Sequence, residues 1–177
     1  ILRPEVAPHQ APQLTFLSAV AVVEAIQSLT ALTPKIKWPN DVFVGPYKVA
    51  GLLNEMSAET DRVSFVILGI GVNLNMLQGQ FPQDLRSPAS SLFLLTGQRL
   101  CREQFAATLF NALDRHYQQF LLEGFEPIRQ IWATLSTAAG KTVNVVVGDR
   151  LVQGPFAGVD YDGALLVATS DGVERIV

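Results

Sequence analysis

Lys48 stands at the head of an apolar run, Val49-Ala50-Gly51-Leu52-Leu53, three residues before a glycine. An ammonium that opens a buried strand needs an anion beside it, because unpaired it is costly to bury or gives up its proton. Glycines inside strands often mark places where a ligand or another backbone comes close. Gly51, Gly69 and Gly71 therefore predict a flat slot against a sheet, with Lys48 at one end. Asn40, Asp41, Asn73 and Asn75 supply hydrogen-bonding groups at the strand ends. This set suits a small polar ligand that carries a phosphate or a carboxylate.

The elements that must hold these groups follow from their neighbours. Pro39 lacks an N–H and biases Trp38 towards an extended conformation, so Trp38-Pro39-Asn40-Asp41 is a turn and not a helix interior. Val42–Val44 is a short strand closed by Gly45-Pro46. Lys48 then opens one long strand and Val63–Leu74 forms another, with Asp61-Arg62 as the turn between them. Glu55 and Glu59 are expected to face solvent. Trp38 has two readings, a sheet-packing aromatic or a direct ligand contact, and the sequence leaves both open.

KWPND, KVAGLLNE and GIGVNLN, in this order and spacing, resemble the catalytic core of biotin protein ligases. Each piece alone is a weak signal; the three together are specific. The resemblance implies an α+β fold, a mixed β-sheet backed by helices as in class II aminoacyl-tRNA synthetases and biotin ligases, with a small C-terminal SH3-like β-barrel. It implies ATP-dependent ligation of biotin to a lysine of a biotin carboxyl carrier protein through biotinyl-5′-adenylate, with Mg²⁺. By position in KVAGLL, Lys48 matches the catalytic lysine, expected to bind the biotin carboxylate and hold it against the α-phosphate, and Gly51 and Leu53 match positions whose backbone groups bind biotin. Asn73 matches a nucleotide-side contact. Asn40 and Gly71 are expected on the nucleotide side too, and Asp41 is expected either to orient Lys48 or to hold water on Mg²⁺. The family also carries a Gly/Arg-rich loop that closes over the adenylate, and no such run occurs here. The chain, opening on Ile1-Leu2-Arg3-Pro4, is therefore expected to be a fragment that lacks the N-terminal part of the catalytic domain.

Composition narrows the classes. The chain has 177 residues, 49% hydrophobic and 16% charged, which allows a sizeable core and excludes a disordered chain. A net charge of −3 and the lack of a Lys/Arg cluster argue against nucleic-acid binding by this piece. One cysteine, Cys101, excludes an internal disulfide and a cysteine metal site; it reads as a small residue at a helix start. No signal peptide and no unbroken apolar run near 20 residues is visible, which points to a cytoplasmic protein and away from membranes.

Taken in order, Ile1–Pro12 is extended with His9 exposed, and Gln13–Ser28 is a helix apolar nearly all round, a sign of burial against a sheet. Lys35–Trp38 is a half-buried edge strand. Residues 76–90 form a loop, and a short helix starts at Ser90-Ser91-Leu92 and stops at Gly97. Arg102–Glu123 is a helix with Phe105, Leu109, Leu113, Tyr117 and Leu121 (or Phe120) as its core stripe and His116 partly exposed. Phe125–Leu135 is a second helix, with Ile128, Ile131, Trp132 and Leu135 on one face. These aromatic stripes read as core. Past Gly140, Val143–Val147, Leu151–Phe156 and Ala164–Ala168 are short strands parted by Gly148-Asp149 and Asp162-Gly163. The boundaries expected are a catalytic domain over 1–138 and a barrel over 139–177, too small to fold reliably alone and so docked on its neighbour.

Other functions compete. A lipoate or octanoyl transferase-like enzyme needs a similar lysine, but KWPND and GIGVNLN argue against it. A Rossmann reading of Gly69-Ile70-Gly71 fails because Leu74 occupies the third-glycine position and a Pro-containing loop follows. If Lys48, Asn40 and Asp41 were plain surface turn residues, three motifs would have coincided by chance. A non-catalytic regulator that binds biotinyl-adenylate, homodimerising through an exposed sheet edge, is the last alternative.

Overall fold

The computed structural model describes residues 1–177. Four strands, β1 (Lys35–Lys37), β2 (Asp41–Val44), β3 (Tyr47–Ala58) and β4 (Val63–Val72), form a sheet in the order β1-β2-β3-β4. Every ladder in it is antiparallel, and parallel pairing enters through two isolated bridges, Ile36 with Ser136 and Lys48 with Ala89. Leu2 adds an antiparallel bridge to Val66 at the outer edge of β4.

Helix α1 (Gln13–Leu29) crosses one face of this sheet. It is apolar on all sides because it is covered on all sides: the sheet lies beneath it, and α3 (Arg102–Glu123) and α4 (Glu126–Leu135) lie over it. Leu14, Leu17, Val22 and Ile26 meet Ile36, Val42, Val49 and Val66 from the strands and Ile128 and Trp132 from α4, all without exposed surface. On composition alone Pro8–Leu29 is long and apolar enough to cross a membrane, which qualifies the expectation that no such run exists; here 67% of that window is buried inside the fold.

The two helices after residue 100 fall where periodicity places them, with one shift of face. The buried stripe of α3 is Phe105, Leu109, Ala112, His116 and Phe120, while Leu121 is 48% exposed. His116 is therefore a core residue and not a partly exposed one. Its Nε2 lies 2.9 Å from Glu24 Oε2 on α1, and Arg115 pairs with the same carboxylate. A polar partner on a facing helix makes that burial tolerable, and no window of local sequence contains both residues. Helix α2 (Leu92–Thr96) starts at Ser91, whose hydroxyl accepts from Leu94 N–H, and ends at Gly97 with φ +74°. Cys101 is exposed at the start of α3.

The C-terminal strands β5 (Thr142–Val147), β6 (Arg150–Val159), β7 (Leu165–Thr169) and β8 (Gly172–Ile176) form an antiparallel meander. The first half of β6 pairs with β5 and the second half with β7, so this strand turns the corner of the small sheet. At the corner, a side chain on Gly154 would overlap the Ala168 carbonyl, so only glycine fits. Two features went unseen in the sequence: β8, and the extension of β6 beyond Phe156. The unit shares its core with the rest of the chain through Val152, Val159, Leu165, Val167 and Ile176. Trp132 bridges the two parts, 5.0 Å from the Phe16 ring centroid and 6.4 Å from that of Phe156. Arg129 of α4 adds a polar tie, donating to Val159 O at 3.1 Å while held by Glu126. The hydrogen bonds from Arg129 and Gln130 hold the Glu126 carboxyl down at about 2.

Candidate active site

The β2–β3 hairpin turns at Gly45-Pro46, with Gly45 at φ +56°. It sets Asp41 opposite Gly51 and Phe43 opposite Lys48, with a bulge between Val42 and Phe43. Lys48 Nζ reaches Asp41 Oδ1 at 2.5 Å, and both side chains are partly open to solvent. The lysine thus has its anion, and it comes from the motif one strand earlier. The Lys48 backbone is also fixed on both sides, its N–H donating to Pro88 O and its carbonyl accepting from Ser90 N–H.

Gly51 makes this geometry possible. A Cβ at that position would stand 3.2 Å from both Cε and Nζ of Lys48. Cross-strand partners share a face, so Gly51 with Gly71 and Leu53 with Gly69 lie on the side of the sheet away from α1, into which Leu52 is buried. Leu53 is 65% exposed there, and a Cβ on Gly69 would come within 2.7 Å of its carbonyl. The three glycines thus share one face of the sheet, and Gly51 adjoins Lys48.

Asn40 clamps this floor. Its side-chain amide donates to Leu52 O at 2.7 Å and its carbonyl accepts from Leu52 N–H at 2.9 Å. Asn73 donates to Ser90 O, and Asn75 both donates to and accepts from the Leu100 backbone. Asn73 thus ties the end of the 76–90 loop to the sheet, and Asn75 ties its start to the segment ahead of α3.

A cavity of about 630 Å³ opens over the pair. Asn40, Asp41, Lys48, Gly51 and Asn73 all line it, so five of the residues singled out in the sequence converge. Gly71 and Leu53 do not line it and continue the same face beyond. Phe81 and Arg86, from the 76–90 loop, close the opposite wall. Sequence reading missed both, because an aromatic and a cation in a Pro-rich loop carry no periodic signal; their only clue was the loop's attachment directly after GIGVNLN. Trp38 does not line this cavity. Its indole N–H donates to Gly163 O at 2.9 Å in the C-terminal unit, and the residue borders a neighbouring cavity with Asn40, Leu52 and Leu53.

No group of three or more His, Cys, Asp or Glu side chains gathers in the chain. Asp41 is the carboxylate beside the cavity, and a Mg²⁺ arriving with nucleotide phosphates needs only one or two carboxylates, since it keeps water and phosphate oxygens as its other ligands. The donor set fits that use.

Residues 1–73 match the biotin/lipoate A/B protein ligase family, and residues 139–177 match the biotin protein ligase C terminal domain. A biotin–[acetyl-CoA-carboxylase] ligase of Paracoccus denitrificans is 34% identical over 179 residues, covering 99% of this chain and 75% of that protein. The chain belongs to the biotin protein ligase family. The bifunctional ligase/repressor BirA of Bacillus subtilis strain 168 is 35% identical over 176 residues, 99% of this chain and 54% of that protein. The chain thus spans about half the length of several curated members of the family that it matches. Among solved structures, the apo biotin protein ligase from Aquifex aeolicus superposes with a TM-score of 0.80 at 25% identity, over 94% of this chain and 72% of that one. The same enzyme in complex with biotin and ATP gives 0.78 at 26% identity, over 93% and 68%. The α+β architecture is that of the biotin protein ligases.

Proposed function

We propose that this chain supplies the lysine, the biotin floor and the C-terminal unit of an ATP-dependent biotin protein ligase. The observation that carries the reading is the Lys48 ammonium, held by Asp41 above Gly51 at the wall of the 630 Å³ cavity. In the first step an oxygen of the biotin carboxylate attacks the α-phosphorus of ATP, the bond to the bridging oxygen breaks, and pyrophosphate leaves. Two anions must approach each other, and negative charge is shared over the phosphoryl oxygens in the transition state. A compact cation already in place lowers that barrier because it needs no reorganisation. Lys48 holds carboxylate and α-phosphate together; Asp41 orients Lys48 and is the residue beside which Mg²⁺ would sit. Gly51 and Leu53 offer backbone groups to biotin, while Asn40, Gly71 and Asn73 lie on the nucleotide side. Arg86 adds a second positive charge for the departing phosphates. In the second step a lysine amine of a biotin carboxyl carrier protein attacks the acyl carbon, the amine loses a proton, and AMP leaves as the amide forms.

The division into a catalytic domain over 1–138 and a barrel over 139–177 belongs to the same proposal, as does a cytoplasmic setting. Homodimerisation is a second element, favoured by one feature: β2 covers β3 only as far as Gly51 and Leu52, so the backbone edge of Leu53–Ala58 on that side has no strand partner. Sedimentation with and without ligand tests it.

Calorimetric titration with biotin and with a stable biotinyl-adenylate mimic, followed by ATP–pyrophosphate exchange driven by biotin or by lipoate, tests the whole reading. Binding of the mimic and exchange with biotin alone are expected. Exchange driven by lipoate and not by biotin would transfer the site to the lipoate branch.

A further inference from the structure

The turn between β6 and β7, Asp160–Ala164, is braced from within and aimed at the first sheet. Asp160 N–H donates to Ala164 O at 2.8 Å, Gly163 N–H donates to Asp160 O, and Arg175 of β8 pairs with both Asp160 and Asp162. Gly163, which closes the turn at φ +88°, is packed so closely on Phe16 of α1 that a Cβ would stand 2.6 Å from the ring. The Gly163 carbonyl accepts from the Trp38 indole, and the Gln13 side-chain amide donates to the Tyr161 carbonyl. Trp38 is two residues from Asn40, whose two hydrogen bonds with Leu52 close the floor, and three from Asp41, which holds Lys48.

We infer that Trp38 and Gly163 form a positioning strut, through which the C-terminal unit sets the place of Asn40 and Asp41 and so of Lys48. The inference rests on the reading of Lys48 as the reactive cation. A turn this short has little slack, so a ring released from Gly163 lets the Asn40–Leu52 clamp open more often and Asp41 wander. Neither Trp38 nor Gly163 lines the Lys48 cavity; both border a neighbouring one together with Asn40, Leu52 and Leu53.

Trp38→Phe keeps an aromatic ring and removes the N–H donor; Gly163→Ala pushes the carbonyl away from the other side. Hydrogen exchange at the Leu52 amide, which donates to Asn40 O, is expected to quicken about tenfold in both variants, because it reports local opening. The Ala112 amide within α3 is expected to exchange as before and serves as the internal control. In pyrophosphate-release assays kcat is expected to fall about tenfold, since the misplaced Lys48 stabilises the transition state. Unchanged Leu52 exchange in both variants overturns the strut, as does an unchanged kcat. If the unaltered chain releases no pyrophosphate with biotin, the proposed function is what fails, and the exchange comparison still decides the strut.

Discussion

Lys48 and Asp41 meet at 2.5 Å although they do not face each other in the ladder: Asp41 is opposite Gly51, and Lys48 is opposite Phe43. The lysine lies back across Gly51 to make the contact, and the bare Cα there leaves it the room.

Gly51→Val should therefore move the lysine as well as roughen the floor. Biotin affinity is expected to drop at least about tenfold, or 1.4 kcal/mol, while the thermal midpoint changes little, because valine suits a strand. Calorimetry beside a melt of the same variant checks both. Affinity equal to the parent's would mean that the ligand does not use this face.

Lys48→Ala is expected to slow adenylate formation roughly a hundredfold or more, the scale of losing one preorganised electrostatic stabiliser. Asp41→Asn should cost less, and the double variant should cost less than the two single losses summed, because the side chains act as one unit. Steady-state pyrophosphate release gives all three numbers. A Lys48→Ala rate close to the parent's would take this residue out of the chemistry.

The Glu24 clamp between α1 and α3 predicts a pH dependence. Burial opposes the charge on Glu24, but hydrogen bonds from His116 and Arg115 outweigh it and hold the carboxyl below its usual 4.5. A carboxyl whose folded pKa is lowered adds stability above the unfolded value and loses it as pH falls through the folded one. Glu24→Gln should accordingly be less stable than the parent at neutral pH, and the gap should narrow as the pH drops below 4.5. Denaturant titrations at neutral and at acid pH measure it. A gap that persists in acid would assign the effect to packing alone.

Trp132 is fully buried where α4, Phe16 and Phe156 meet, and its indole N–H has no hydrogen-bond partner. Trp132→Ala is expected to cost about 3–5 kcal/mol by leaving a cavity between the two sheets. Trp132→Phe should cost much less, since it keeps an aromatic ring in the site and loses a buried donor that nothing satisfies. Urea unfolding of the two variants measures the difference. Equal losses would show that the ring kept by phenylalanine contributes nothing to the packing.

By itself the sequence determined whatever depends on neighbours along the chain. The span of α3 from Arg102 to Glu123, the Ser91 and Gly97 ends of α2, the turn at Trp38–Asp41 and the opening of β3 around Lys48 all follow from short-range rules of period, capping and φ. The order of KWPND, KVAGLLNE and GIGVNLN likewise marked the site, because motif spacing is a property of the linear chain. Tertiary structure alone decided which distant groups meet. It buried His116 against Glu24, gave the core position to Phe120 over Leu121, set Trp38 on Gly163, and brought Phe81 and Arg86 round to face Lys48. Each of these contacts joins residues from different elements. Its energy comes from excluding water between surfaces that only the packed chain brings together, and local propensity is silent about that.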